Sequence, residues 1–165
     1  MVRSRIVISA DPFHAFGSGR REGRATKNRR VIDFKTLQRP PSPNTYLACD
    51  PDDSPATADR PALRCVAEPA AVRDALLAVV RSAPRVEETG ADAATMTFGF
   101  IQKSRLMRFV DDITIRVEPD GEGGARVLAY SASRVGWGDL GVNRKRIEGW
   151  FSALEAGLAD APSAT

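Results

Sequence analysis

The segment that most constrains the fold lies between residues 111 and 133, where two patterned stretches flank a glycine-rich turn. Residues 111–117 place apolar side chains at every second position, which is typical of a β-strand. Residues 126–133 predict the return strand, with Val127, Ala129, Ser131 and Ser133 on one face and Leu128 and Tyr130 on the other. Between them, the glycines of Pro119–Gly124 can adopt the positive φ that a hairpin turn requires. Because strands joined by a hairpin run in opposite directions, this segment predicts an antiparallel sheet.

Further strands are predicted on the N-terminal side of this hairpin. Residues 95–100 alternate clearly, and short apolar stretches at 46–48 and 63–67 predict two brief strands. The proline-rich segment 39–44 favours extended backbone, so we expect a stiff arm lying on the domain. Residues 50–61 are rich in Asp and Pro, which predicts an exposed loop.

Two segments show the periodicity of amphipathic helices. The first, Pro69 to about Ser82, opens with a proline, which is tolerated in the first turn of a helix. The second begins at Asn143, a good N-cap residue, and continues to about residue 158. Their apolar stripes are Val72, Ala75, Leu76, Val79 and Val80 in the first helix and Ile147, Trp150, Phe151, Leu154 and Leu158 in the second.

The order of these elements predicts an α+β fold with a single antiparallel sheet of about 4–5 strands and two helices packed on one face. A helix-grip fold with a lipid pocket is a weaker alternative, because so few strands enclose little volume. We expect a disordered basic leader at 1–30, a single α+β domain at 31–160 and a disordered tail at 161–165.

Charge is distributed unevenly between the expected leader and the domain. The chain has a net charge of +3, yet residues 1–30 carry eight basic and two acidic side chains. The remaining residues carry 16 basic and 19 acidic side chains, so the folded domain is not expected to bind nucleic acid. We expect the leader to be a solvated extension. The alternative is an electrostatic tether to nucleic acid or anionic lipid.

The composition also excludes several classes of site. Two cysteines (Cys49 and Cys65) and one histidine (His14) cannot build a disulfide scaffold or a familiar zinc site, and we expect both cysteines to be ordinary thiols. No stretch approaches the roughly 18 apolar residues of a membrane span. The apolar run at residues 6–8 is too short for a signal peptide, so we expect a cytoplasmic protein. We also expect no cofactor and no metal.

The most informative segment is Ser131–Arg146, which joins the end of a strand to the start of a helix through three glycines. A helix N-terminus offers unpaired N–H groups and a partial positive charge, and arginine side chains match carboxylates and phosphates. The sequence lacks the Gly-Lys-Ser/Thr ending of a P-loop and the glycine spacing of a dinucleotide-binding turn. The segment therefore predicts an anion-recognising site of another kind.

The same segment resembles a family of bacterial and plastid proteins known as domain of unknown function 1499. The likeness covers about residues 33–158 and rests on Pro43, Asn44, Asp111 or Asp112, Ser131, Ser133, Arg134, Gly136, Asp139, Gly141, Asn143, Arg144 and Arg146. It implies a shared fold and a shared site without naming an activity. Many relatives carry a membrane or lipoprotein leader, so membrane association is the alternative to a cytoplasmic location.

Nine residues form the predicted ligand-binding set, and each also has a structural interpretation. Arg134 can pair with Asp139 to hold the loop, and one of the two strand aspartates can pair with Arg144 or Arg146. The serines can bond loop carbonyls, and Trp137 can fill the core. The nine residues are Arg134, Asp139, Asn143, Arg144, Arg146, Ser131, Ser133, Asp111 and Asp112.

Three functional hypotheses follow from these residues. The first is a non-enzymatic binding or accessory module whose polar cluster is structural or recognises a small anionic ligand. The second is an enzyme that uses Asp111 or Asp112 with Ser131 or Ser133, although no histidine lies nearby in the domain. The third is a protein-interaction domain with an apolar patch on the open face of the sheet. The arginines argue against a Mg²⁺ or Ca²⁺ site on the aspartates.

Overall fold

The computed structural model describes residues 31–106, 108–121 and 123–160. These residues form a short 3-10 helix, six strands and two α-helices. In chain order they are the 3-10 helix Phe34–Thr36, β1 Thr45–Ala48, β2 Leu63–Cys65, α1 Pro69–Ser82, β3 Val86–Asp92, β4 Thr97–Lys103, β5 Val110–Asp120, β6 Gly124–Ser133 and α2 Val142–Ala159. The expected leader at 1–30 and tail at 161–165 lie outside the described residues.

The strands form one antiparallel sheet in the order β1-β6-β5-β4-β3, with β2 also paired to β6. The predicted α+β class, hairpin and antiparallel sheet are confirmed, and the sheet has one strand more than expected. The additional strand, β3, lies at the edge of the sheet and is largely exposed. It therefore lacks the alternating apolar pattern by which a half-buried strand is recognised.

Both helices pack on the same face of the sheet, as predicted, and α1 spans the predicted residues. The apolar stripes of the helices meet the inward side chains of the central strands, so one core lies between the two layers. Among its most deeply buried members are Leu76, Phe100, Ile113, Ile115, Ile147 and Leu154.

The opposite face of the sheet is covered by residues 31–44, which we call the arm and which include the predicted extended segment 39–44. Phe34 and Leu37 from the arm bury themselves against Leu128 and Tyr130, which point away from the helices. The third hypothesis placed an exposed apolar patch on an open face, and that location is wrong because the arm closes it. The fold therefore has three layers, with the sheet between the helices and the arm.

The N-cap of helix α2 lies two residues earlier than predicted. The cap is Gly141, whose φ of 75° lies in the left-handed region, and Asn143 is inside the helix. The prediction of Asn143 as the N-cap is therefore wrong. The carboxylate of Asp139 accepts hydrogen bonds from the backbone N–H groups of Gly141 and Asn143 at the start of the helix. None of the helices in the described part of the chain combines the length and apolarity needed to cross a membrane.

Candidate functional site

The centre of the candidate site is the guanidinium of Arg146, which is 6% exposed and points from α2 toward the sheet. Its Nη2 lies 2.5 Å from Oδ2 of Asp111, whose side chain is 8% exposed. Its Nη1 donates to Ser131 Oγ at 2.7 Å and to Asn143 Oδ1 at 2.6 Å. Its Nε donates to Gln102 Oε1 at 2.5 Å. A single side chain thus joins α2 to three strands of the sheet.

Asn143 connects the same cluster to the start of β1. Its Oδ1 accepts a hydrogen bond from Ser131 Oγ at 2.5 Å. Its Nδ2 donates to Asp139 Oδ2 at 2.6 Å and to the backbone carbonyl of Asn44 at 2.8 Å. All hydrogen-bonding positions of this fully buried amide are therefore occupied by protein groups.

Ser133 and Asp111 complete the cluster on neighbouring strands. Ser133 Oγ donates to Asp111 Oδ1 at 2.6 Å, so both carboxylate oxygens of Asp111 accept hydrogen bonds. The expectation that the serines bond loop carbonyls is wrong, since both hydroxyls bond side chains. We call this cluster the Arg146 network. Its members are Asn44, Gln102, Asp111, Ser131, Ser133, Asp139, Asn143 and Arg146.

The remaining predicted charged residues lie outside this network. Arg134 pairs with Asp112 rather than Asp139, through two hydrogen bonds of 2.8 and 2.6 Å. This pair lies on the face opposite α2 because Asp111 and Asp112 are neighbours on a strand and point in opposite directions. Both partners are more than a third exposed.

Arg144 is also outside the network, and it is exposed. It makes no hydrogen bond or ion pair with the residues that the structure describes. Its side chain borders a cavity of about 370 Å³ that is also lined by Arg39, Thr45, Tyr46 and Asp139. Arg134 and Arg146, by contrast, are each paired with an aspartate.

Two members of the network were missing from the predicted ligand-binding set. Asn44 donates from its side chain to the carbonyl of Gly136 at 2.8 Å and thereby fixes the following loop. The family resemblance includes Asn44, so that signal was available. Gln102 shows no comparable signal, because a single glutamine near a strand end is unremarkable.

Two loops leave the sheet at the end where this network lies. The β4–β5 loop and the β6–α2 loop are adjacent, since the backbone N–H of Arg134 donates to the carbonyl of Val110 at 3.1 Å. We call the surface formed by residues 104–106, 108–109 and 134–145 the loop end. It carries six of the seven large apolar side chains that are exposed in the described part of the chain: Leu106, Phe109, Val135, Trp137, Leu140 and Val142.

Trp137 is 72% exposed, so the expectation that it fills the core is wrong. Leu140 is 95% exposed and Leu106 is 88% exposed. Trp137 and Leu140 project into solvent from the β6–α2 loop, whose base is hydrogen-bonded, and Leu106 projects from the neighbouring β4–β5 loop.

A second ionic cluster lies at the other end of the sheet. Arg126 bonds both oxygens of Asp53, at 2.9 and 2.8 Å, and also contacts Asp50 at 3.2 Å. Burial raises the pKa of Asp50, but hydrogen bonds from Arg64, the Ala62 backbone and Arg126 outweigh it, so the pKa lies below its usual value of 3.8. This cluster holds the acidic loop against the β5–β6 hairpin.

Tyr46 anchors β1 to α2. Its hydroxyl donates to Glu148, whose other oxygen pairs with Arg60 at 2.6 Å. Burial and the hydrogen bond to Glu148 raise the pKa of Tyr46 to about 12. The guanidinium of Arg60 also lies 5.1 Å from the centre of the Phe151 ring, a favourable cation–π arrangement.

The cysteines and the acidic side chains of the described residues are the groups that a redox or metal site would use. Cys49 and Cys65 are free and buried on opposite faces of the sheet, and burial raises the pKa of the Cys49 thiol to about 11. Among the described residues, no three His, Cys, Asp or Glu side chains are placed to hold a metal ion. His14 lies outside those residues.

Comparisons with known proteins give one family and a set of distant structural likenesses. The crystal structure of Ara h 8.0201 aligns with 61% of this chain and 95% of that chain, at 13% sequence identity and a TM-score of 0.48. No curated protein matches the sequence. The family model described as "Protein of unknown function (DUF1499)" matches residues 35–154, which include the whole Arg146 network. The chain therefore belongs to the DUF1499 family.

Proposed function

We propose that the protein is a non-enzymatic binding module and that the loop end is the surface that contacts its partner. One observation carries the proposal: six of the seven exposed large apolar side chains in the described part of the chain are concentrated at the loop end. Monomeric proteins rarely expose clustered apolar surface without an interaction to cover it. The same surface also carries accessible basic side chains, including Arg144.

The Arg146 network supports this proposal as the rigid base of the surface. Arg146 and Asp111 are paired and buried, and the polar groups around them already have protein partners. A ligand at these atoms would have to displace charge-assisted hydrogen bonds in a region with little solvent. We therefore assign a structural role to Asp111, Ser131, Ser133, Asp139, Asn143 and Arg146.

Anion recognition, in this proposal, belongs to the basic residues at the rim. Arg144 is exposed and unpaired within the described residues, and Lys145 follows it on the same accessible turn of α2. Arg134 is exposed as well, although it pairs with Asp112. These side chains can meet an anionic group without disturbing the network beneath them.

The enzymatic alternative is less well supported. It requires a carboxylate that can accept a proton from a serine, and Asp111 does accept a hydrogen bond from Ser133 at 2.6 Å. However, the other oxygen of Asp111 is bound by Arg146, so both oxygens of the carboxylate are already engaged by protein groups. Ser131 is fully buried and donates to Asn143, so its oxygen is poorly placed for attack on a substrate.

Site-specific photo-crosslinking in living cells that produce the full chain tests the proposal. A photoreactive residue is introduced at Leu140 in one variant and at Val66 in the other, since both side chains are almost fully exposed. Val66 follows β2 and lies outside the loop end, so it is the matched control. We expect a discrete covalent adduct from position 140 and none from position 66.

A further substitution connects any adduct to the apolar surface. Leu106→Ser removes an exposed side chain from the neighbouring loop and should reduce the adduct formed at position 140. Equal adduct yields at positions 140 and 66, or no adduct to either protein or lipid at position 140, would refute the proposed contact surface.

A further inference from the structure

We infer that the loop end docks on the surface of an anionic phospholipid bilayer, an inference that rests on the proposed contact surface and names its partner. The apolar side chains would enter the interfacial region of the lipid, and the basic side chains would contact the phosphate groups. The argument combines the charge of the loop end, the way basic and apolar residues alternate there, and the exclusion of other occupants.

Charge is strongly polarised along the domain. The loop end carries five basic residues and one acidic residue, Asp139, whose carboxylate caps α2. The rest of residues 31–160 carries 11 basic and 18 acidic side chains. An anionic surface would therefore attract the loop end and repel the rest of the domain, which orients the molecule. The five basic residues are Arg105, Arg108, Arg134, Arg144 and Lys145, of which Arg134 is paired with Asp112.

Basic and apolar side chains alternate within each loop rather than forming separate zones. Arg105 precedes Leu106 and Arg108 precedes Phe109, and all four side chains are exposed. The β6–α2 loop repeats this arrangement with Arg134 before Val135. The interfacial region of a bilayer takes apolar and basic groups side by side, because a long basic side chain lays its apolar stem along the lipid and keeps its charged group at the phosphates.

Trp137 adds the side chain that favours this environment most. Tryptophan is enriched at the boundary between hydrocarbon and headgroups, because its ring is apolar and its N–H can still donate a hydrogen bond. Here the ring projects from a loop tip close to the exposed Leu140 in sequence. Hydrogen bonds of Asp139 and Asn44 already hold the base of this loop, so docking costs less conformational entropy.

Two other occupants fit the charge less well. Residues 1–30 have a net positive charge, the same sign as the loop end, so they are a poor complement to it. In a two-fold dimer through this surface, the same basic residues would face each other, which is unfavourable. An anionic lipid surface satisfies both the charge and the apolar side chains.

The two tryptophans allow a direct test with the full chain. Trp137 is exposed and Trp150 is 8% exposed within the core, so a change in emission on binding reports mainly on the loop end. The probes are vesicles of phosphatidylcholine alone and vesicles that also contain phosphatidylglycerol. We expect the phosphatidylglycerol vesicles to shift Trp137 emission to the blue and to protect it from a soluble quencher. Trp137→Phe should remove the signal.

Sedimentation with the same vesicles measures affinity, and charge-matched variants locate the contact. Replacing Arg105 and Arg108 by Gln should weaken binding about 30-fold, because each basic side chain near an anionic surface contributes about 1 kcal/mol. The control replaces Arg64 and Arg73 by Gln, which removes the same charge outside the loop end. It should change binding less than about twofold.

Four results would overturn the inference. The first two are no binding to anionic vesicles and equal binding to phosphatidylcholine vesicles. The third is binding that leaves Trp137 accessible to the quencher. The fourth is a concentration-dependent blue shift without lipid, which would indicate that a second copy of the chain covers the loop end. If position 140 crosslinks to a protein while vesicles leave Trp137 exposed, the lipid inference fails and the proposed contact surface stands. If neither experiment detects a contact, both fail.

Discussion

Oδ2 of Asp139 accepts two hydrogen bonds from Asn143, one from the backbone N–H at 2.7 Å and one from the side-chain amide at 2.6 Å. Oδ1 of Asp139 accepts a hydrogen bond from the backbone N–H of Gly141 at 2.9 Å. One side chain thus caps α2 and orients the buried amide that joins α2 to Ser131. The start of the helix and the Arg146 network form one structural unit.

The first prediction concerns this cap. Asp139→Ala should lower the free energy of unfolding by about 1–2 kcal/mol, because it leaves helix N–H groups without their acceptor. Urea denaturation of the full chain measures the change. Asp160→Ala removes an exposed aspartate at the other end of α2 and should change stability by less than about 0.5 kcal/mol. Similar losses for the two variants would show that Asp139 is not a cap.

The second prediction tests whether the arm is part of the core. Phe34 is 1% exposed against the sheet, so Phe34→Ala should lower the free energy of unfolding by about 3–5 kcal/mol. The matched control is Phe109→Ala at the loop end, where the ring is already about half exposed and little packing is lost. If Phe34→Ala costs no more than Phe109→Ala, the arm does not cover this face of the sheet.

The third prediction is a pH dependence that arises from Asp50. Its pKa in the folded chain lies below 3.8, so the folded state favours the charged carboxylate. The resulting stabilisation is fully present above the unfolded pKa and is lost as the pH falls from about 4 through the folded value. Urea denaturation measured across this range should show a smaller acid-induced loss for Asp50→Asn than for the wild type. Superimposable pH profiles would contradict this assignment.

The fourth prediction concerns the ionisation of Tyr46. The chain has two tyrosines, so Tyr130→Phe leaves Tyr46 as the reporter of tyrosinate absorbance. We expect a midpoint at about 12 rather than 10. Because the folded pKa is raised, the stabilisation is present below pH 10 and is lost as the pH rises from 10 to 12. In the same background, Glu148→Ala removes the acceptor and should lower the midpoint, while burial keeps it above 10. A midpoint unchanged by Glu148→Ala would exclude the hydrogen bond as a cause.

Local periodicity was sufficient to predict the main elements of the fold. The alternation of residues 111–117 and the helical stripe of Pro69–Ser82 reflect burial on one face, which the sequence records directly. Edge strand β3 is held mainly by backbone hydrogen bonds to β4. Because every residue type has nearly the same backbone groups, the sequence does not predict these bonds. Asn143 was misplaced as the N-cap because Asn and Asp are both good caps, and the structure uses Asp139.

The contacts of the candidate site depend on register, which the residue pattern leaves open. The sequence allowed either strand aspartate to pair with Arg144 or Arg146. The β5–β6 hairpin pairs Asp111 with Ser133 across the two strands, which turns Asp111 toward α2 and Asp112 away from it. The turn of α2 then places Arg146 over the sheet and Arg144 in solvent. A prediction of the closed network therefore required the hairpin register and the start of α2 together.

The central claim is that the Arg146 network is a closed structural unit and that contact with a partner is left to the loop end. A double-mutant cycle with Arg146→Met and Asp111→Leu, measured by urea denaturation, tests this claim most directly. Each single change should cost about 3–5 kcal/mol because it leaves a buried charge unpaired. The double variant should be more stable than the sum of the single losses by at least about 1 kcal/mol. The account would be contradicted if each single variant lost less than about 1 kcal/mol, as expected for the exposed Arg134–Asp112 pair. Strictly additive losses would contradict it as well.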